Sequence, residues 1–182
     1  RISGAIPFSA GWKAERRGTT RLNLHSPAAS RVLLLSFIAV VGACYCQTIS
    51  DCLTEDSIDY AHSIVKGTVT DLLHPHHLLY NPLLAIVVRA TPAKEGLGAI
   101  ACLQYLNLLV SIVGVYLMWV LLRQIEIPKH LALCCTAGFA FGHGFWAYSS
   151  QIEVYNWAGV FILATSIAWV HEEKTQGPSA FL

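Results

Sequence analysis

Charge is scarce in this sequence. Asp, Glu, Lys and Arg make up 13% of its 182 residues while 54% are hydrophobic, against roughly 25% charged and 45–50% apolar residues in ordinary soluble domains. The chain therefore reads as an integral membrane protein. A basic stripe interleaved with exposed aromatics is missing and the formal net charge is only +1, so nucleic-acid binding is set aside. Also missing are a His-Glu-x-x-His pair, zinc-type cysteine spacing and an external disulfide framework. Of the six cysteines, Cys44, Cys46, Cys102, Cys134 and Cys135 lie in apolar runs, where cysteine behaves as a small hydrophobe, and Cys52 alone lies in a polar loop.

Apolar runs are what the chain has in plenty. A helix that crosses a bilayer needs about 20 mostly apolar residues. Residues 32–49 supply one such run behind an Arg-bearing leader, and residues 97–122 supply a second, long enough to tilt and ended by Arg123. Residues 131–148 and 154–170 are shorter, and the five-residue link Ser149-Ser150-Gln151-Ile152-Glu153 makes them read as a helical hairpin. Residues 83–90 are too short to span and fit the interface, with Asn81 as N-cap and Pro82 in the first turn. The expected fold is all-α: a polytopic transmembrane protein with about four membrane helices and one amphipathic outer-loop helix. Residues 1–30 read as a cytoplasmic tail without a helical period, 31–171 as the membrane domain with an outer loop at about 50–96, and 172–182 as a C-terminal tail. The leader resembles a signal sequence, but its apolar run is longer than the usual 7–15 residues and ends without a small-x-small site, so it is expected to remain as the first helix. The first residue is not Met and the chain stops soon after the fourth run, so a fragment of a larger polytopic protein is expected.

Orientation follows from Lys and Arg. With a cytoplasmic N-terminus, nine of the 12 basic residues fall on the cytoplasmic side and only Lys66, Arg89 and Lys94 on the far side, in keeping with the positive-inside rule. Seven of the 11 acidic residues, Asp51, Glu55, Asp56, Asp59, Asp71, Glu95 and Glu153, then lie on the outer or luminal face of a cell inner membrane or endoplasmic reticulum.

That outer loop carries the chemistry. Asp56, Asp59, Ser63 and Lys66 share one face of a helix while Ile58, Ala61 and Val65 share another, which describes an amphipathic helix on the membrane surface ending near Gly67. The bland reading of Asp56 is an N-cap with Asp59 at the third helical position, close to a capping box. His74, His76 and His77 admit three readings: metal ligands, hydrogen bonding to an anionic ligand or lipid phosphate, or interfacial packing beside Leu78, Leu79 and Tyr80. Alternate and adjacent histidines around a proline do not make the i, i+4 pair of a zinc protease, and no metal is expected. Trp146, Tyr148, Tyr155 and Trp157 fit an interfacial aromatic belt. Glu153 is harder to place, because a carboxylate between two spans needs water or a partner.

Three motifs in order carry a family resemblance: a first outer loop opening on Glu55-Asp56-Ser57, then HPHHLLYNP over 74–82, then FW-x-YSSQ-x-EVYN over 145–156. The arrangement resembles the N-terminal part of GT-C-type membrane glycosyltransferases, and within them the family related to protein O-mannosyltransferases, over residues 32–170. The resemblance implies transfer of a sugar from a polyprenyl-phosphate donor to a hydroxyl of an acceptor protein or glycan, with membrane lipid as surroundings. It makes Asp56 the base that deprotonates the acceptor, with Glu55 and Asp59 as alternatives. It assigns His74, His76 and His77 to the leaving phosphate, Glu153 to acceptor or sugar hydroxyls, and Tyr80 and Tyr155 to the substrate's surroundings. General-base catalysis by a carboxylate suits an inverting displacement. The later helices and any soluble domain of such enzymes are absent, so an isolated chain of this length is expected to be inactive. Two other classes stay open. A transporter or channel fragment would carry charge within its spans, whereas 97–122 holds only Gln104 and Asn107 as strongly polar residues. A non-catalytic membrane assembly subunit is favoured if Asp56 and Glu153 stand far apart.

Overall fold

A computed structural model describes residues 27–73, 79–92 and 95–176, and these are all-helical: α1 Pro27–Gln47, α2 Glu55–Lys66, α3 Val69–Leu72, α4 Tyr80–Arg89, α5 Gly96–Gln124, α6 Lys129–Ala140, α7 His143–Ser149 and α8 Tyr155–Gln176. Among the described residues two helices are long and apolar enough to cross a membrane, Ala28–Gln47 and Gly96–Gln124, with mean hydropathies of 1.9 and 2.1. At 1.5 Å per residue the 29 residues of α5 reach about 43 Å, beyond the roughly 30 Å of a hydrocarbon core, so a spanning α5 would tilt. Large apolar side chains face outward along these helices and along α8, among them Val32, Leu35, Leu109, Val113, Phe161 and Ile162. A surface of that kind suits lipid better than water.

The expected hairpin of two further spans is corrected. Residues 131–148 do not form one helix: α6 ends at Ala140, Gly142 takes an extended backbone (φ −59°, ψ 132°), and α7 restarts at His143. Glycines at 142 and 144 weaken helical continuity there, and a Cβ at Gly142 would press on the Gly138 carbonyl at 3.1 Å. The run 154–170 does fold as α8, but the helix continues into His171, Glu172, Glu173 and Lys174. At 22 residues it is as long as α1, but it is not apolar enough to count with α1 and α5 as a candidate span.

α5 is the central post. It packs most extensively against α8 and also against α1, α2, α4, α6 and α7. One apolar cluster joins Ile64 of α2, Leu84 and Val88 of α4, Leu103 of α5 and Ile152. A second joins Val41 and Tyr45 of α1 to Leu108 and Val115 of α5 and Ala140 of α6. The two ends of the bundle differ chemically. At one end Lys129 donates to Ser30 and Lys174 pairs with Glu126 at 2.9 Å. At the other, Gln104 of α5 donates to the Ser50 carbonyl at 2.8 Å, and the Ser50 N–H donates to the Ser150 carbonyl at 3.3 Å. The start of the acidic loop and the 149–153 link therefore share one end.

The expected amphipathic helix forms as α2, with one change at its start and one on its buried face. Thr54, not Asp56, is the N-cap: its extended backbone lets its hydroxyl accept from the Ser57 N–H at 3.1 Å. Asp56 sits inside the first turn, free of capping duty. The buried stripe is Ser57, Ala61 and Ile64, while Ile58 is exposed, because α2 docks on α4 and α5 through that stripe. The helix does end at Gly67, where a Cβ would stand 2.2 Å from the Ser63 carbonyl oxygen that the Gly67 N–H bonds. α4 starts one residue before the expected cap. Its N-cap is Leu79, and Asn81 is a buried residue of the first turn.

Candidate functional site

The face of α2 that the spacing picked out becomes one wall of a cavity. Asp56, Asp59 and Ser63 line it together with Tyr60, His62, Asp71, Asn81 and Tyr155, around a volume of about 410 Å³. α2, α3, α4 and the start of α8 each contribute, so the cavity exists only once those elements are packed. Asp71 is fixed by a capping box, its Oδ2 accepting from the Thr68 N–H and hydroxyl at 2.8 Å each. Those hydrogen bonds hold the Asp71 carboxyl below its ordinary range, so it stays ionised.

Glu153 lies beside this cavity rather than in its lining, and it is only 3% exposed. Its partner is the N-cap of α2: the Thr54 hydroxyl donates to Oε1 at 3.0 Å. The Ser57 hydroxyl, in turn, donates to the carbonyl of Ile152 at 3.2 Å. Two hydroxyls of the acidic loop thus hold the 152–153 link. Glu153 Oε2 is buried with no hydrogen-bond partner among the described residues. Burial pushes its carboxyl above the usual range, the Asp56 charge pushes the same way, and the Thr54 and Ser57 hydroxyls pull it back. Asp56 and Glu153 are therefore close enough to feel each other. Tyr60 responds to the same field, its phenol raised to about 12 by burial first and then by the Glu153 and Asp56 charges.

A raised folded-state pKa gives a signed expectation. The neutral Glu153 carboxyl is favoured by the fold, so its contribution is fully present below the unfolded carboxyl value of 4.5 and is lost as pH rises through the higher folded value. Melting of wild type and Glu153→Gln in detergent at acidic and neutral pH checks this. The variant should gain on wild type as pH rises; a constant difference would mean that Glu153 does not titrate in that window.

The remaining sequence-predicted residues separate clearly. Glu55 is exposed and does not line the cavity. Tyr80 belongs to the core, 4% exposed, with its ring edge-on to Tyr60 at 5.4 Å and to Trp157 at 5.8 Å. Burial and the Glu153 charge raise its phenol as well. His74, His76 and His77 lie outside the described residues. Among the described residues no three His, Cys, Asp or Glu side chains come together as a metal site, and all six cysteines are free. The aromatic belt is only partly a belt. Trp157 Nε1 donates to Asn107 Oδ1 at 2.8 Å and packs on the core, and Tyr155 turns to the cavity.

Four cavity residues stand outside the expected site. Tyr60 is legible in principle, standing four residues after Asp56 on the same helix, as is Asp71 through the Thr-x-x-Asp pattern. Asn81 lies within the HPHHLLYNP motif but reads there as a helix cap, and His62 has no signal that sets it apart. Behind the site, Asn107 of α5 donates to the carbonyls of Tyr148 at 2.6 Å and Gln151 at 2.8 Å, which fixes the path of the chain into Glu153.

Compared with protein-family models, with curated proteins and with solved structures, the chain matches none.

Proposed function

We propose that this chain is part of a polytopic membrane glycosyltransferase that moves a sugar from a polyprenyl-phosphate donor to an acceptor hydroxyl at the outer or luminal face. In this reading α1 and α5 span the bilayer, the broken α6–α7 pair and α8 complete the membrane domain, and the N-terminus is cytoplasmic. The observation that carries it is the meeting of the acidic loop with the Glu153 link: Thr54 bonds Glu153 directly, and Asp56, Asp59 and Tyr155 line one cavity beside that bond. A non-catalytic subunit gives no reason for carboxylates from two distant segments to converge so.

Asp56 is the base. It projects from the first turn of α2 into the cavity without a capping role, so its carboxylate is available to take the acceptor's proton as the hydroxyl attacks the sugar's anomeric carbon. The sugar–phosphate bond breaks on the opposite face, and the polyprenyl phosphate leaves. Asp59, one turn on, holds acceptor hydroxyls, and Glu153 keeps the α2 N-terminus in place through Thr54.

The test is transfer from radiolabelled polyprenyl-phosphate sugars by membranes containing the full-length protein. Donor-dependent label in the acceptor fraction is expected. Failure with every donor in a correctly inserted protein would move the assignment to a non-catalytic assembly subunit.

A further inference from the structure

The charge of the cavity narrows what it accepts. Its lining holds three carboxylates, Asp56, Asp59 and Asp71, against one imidazole, His62, and among the described residues neither Lys nor Arg. Such a wall repels a phosphate and attracts a cation. Asn81 adds an independent demand. It lines the same cavity, is 2% exposed, and its Oδ1 is buried without a hydrogen-bond partner among the described residues. An amide oxygen can only accept, and buried acceptors in folded proteins are nearly always paired. The carboxylates and the amide oxygen of this wall therefore call for a donor, while the hydroxyls of Tyr60, Ser63 and Tyr155 and the His62 ring either donate or accept.

A bare metal ion does not answer that demand, since no three ligating side chains among the described residues stand close enough to share one. A larger cation that carries its own N–H and O–H groups does. We infer that the cavity between α2, α3 and α4 binds an amine-bearing sugar, its ammonium among the aspartates and its donors reaching Asn81. The inference rests on the transfer reading only in making that sugar the acceptor, and it places the lipid phosphate outside this cavity.

The experiment is calorimetric titration of the full-length protein, in nanodiscs of uncharged lipid near neutral pH, with D-glucosamine and with D-glucose. The two probes differ by an ammonium in place of a hydroxyl. Glucosamine should bind at least about tenfold more tightly, and Asn81→Ala should weaken it by about two- to tenfold, the effect expected when a neutral hydrogen bond is lost. Asp59→Asn, an exposed change that the fold tolerates, should weaken it several-fold, while Glu172→Gln at the far end of α8 should leave it unchanged. Equal affinity for the two sugars, absence of binding, no response to Asp59→Asn, or an equal response to Glu172→Gln would each overturn the inference. The transfer assay separates the two claims. Amine-selective binding without sugar transfer sinks the glycosyltransferase reading alone, and transfer without amine selectivity sinks this site alone.

Discussion

Replacing Asp56 by Asn should lower sugar transfer by about 10²- to 10⁴-fold, the range that a positioned general base contributes, while membrane insertion and melting temperature stay close to wild type. The structure separates these two effects. Thr54 caps α2, so Asp56 contributes to helix stability only through the dipole, about 0.3–1 kcal/mol at an exposed first-turn position. Asn keeps the shape of Asp and removes only the proton acceptor. The charge change also relieves Glu153, which Asp56 disfavours in its ionised form, so a small gain in stability at neutral pH accompanies the loss of transfer. The check is initial rate per inserted protein, read beside a thermal melt of the same sample. Unchanged transfer would remove Asp56 from the mechanism and pass the role to Asp59, which lines the same cavity. Lost transfer with an equally large loss of folding would make Asp56 a structural residue.

Asn107→Leu should destabilise the bundle by about 2–5 kcal/mol, more than any single change at the cavity wall. Asn107 is fully buried, and its side chain satisfies three groups at once: the carbonyls of Tyr148 and Gln151 and the indole N–H of Trp157. Leucine has nearly the same volume, so the packing loss is minor and the cost lies in the orphaned partners. An unsatisfied buried group costs about 1–3 kcal/mol, whereas hydrogen bonds between membrane helices average nearer 0.6. Three groups at about 1 kcal/mol each already bring the total to about 3 kcal/mol, inside the stated range. The measurement is reversible unfolding in mixed micelles, set against Leu109→Ala on the exposed face of α5. A loss below about 0.5 kcal/mol would mean that water or backbone shifts satisfy those groups. The same variant should also disturb the site, because the chain from Tyr148 to Gln151 leads directly into Glu153.

How far the residues announced all this differs from element to element. α1 and α5 were plain, because a long apolar run has no other low-energy state than a helix in a dry setting. α2 was also legible: the 3.6-residue spacing set Asp56, Asp59 and Ser63 on one face, and Gly67 marked the stop. Its cap is not legible, since Thr54 and Asp56 are both good caps and only the backbone at Thr54 chooses between them. The break at Phe141–Gly142 is hidden in the sequence for a related reason. Hydropathy sums over 131–148 as though the run were continuous, and one extended residue at Gly142 breaks the helix without altering that sum. Glu153 stood out as a carboxylate in need of a partner, yet nothing near it in the chain named Thr54, 99 positions away.

Composition and periodicity by themselves determined that this is a helical, lipid-compatible chain with an acidic amphipathic segment at one end, because those properties are sums and repeats over neighbouring residues. Which carboxylates share a cavity was decided only by tertiary structure. Packing of α2 on α4 and α5, and the hold of Asn107 on the 148–151 backbone, bring Asp56, Asp71, Asn81 and Tyr155 together from four segments. Such convergence depends on distances through space, which spacing along the chain does not encode.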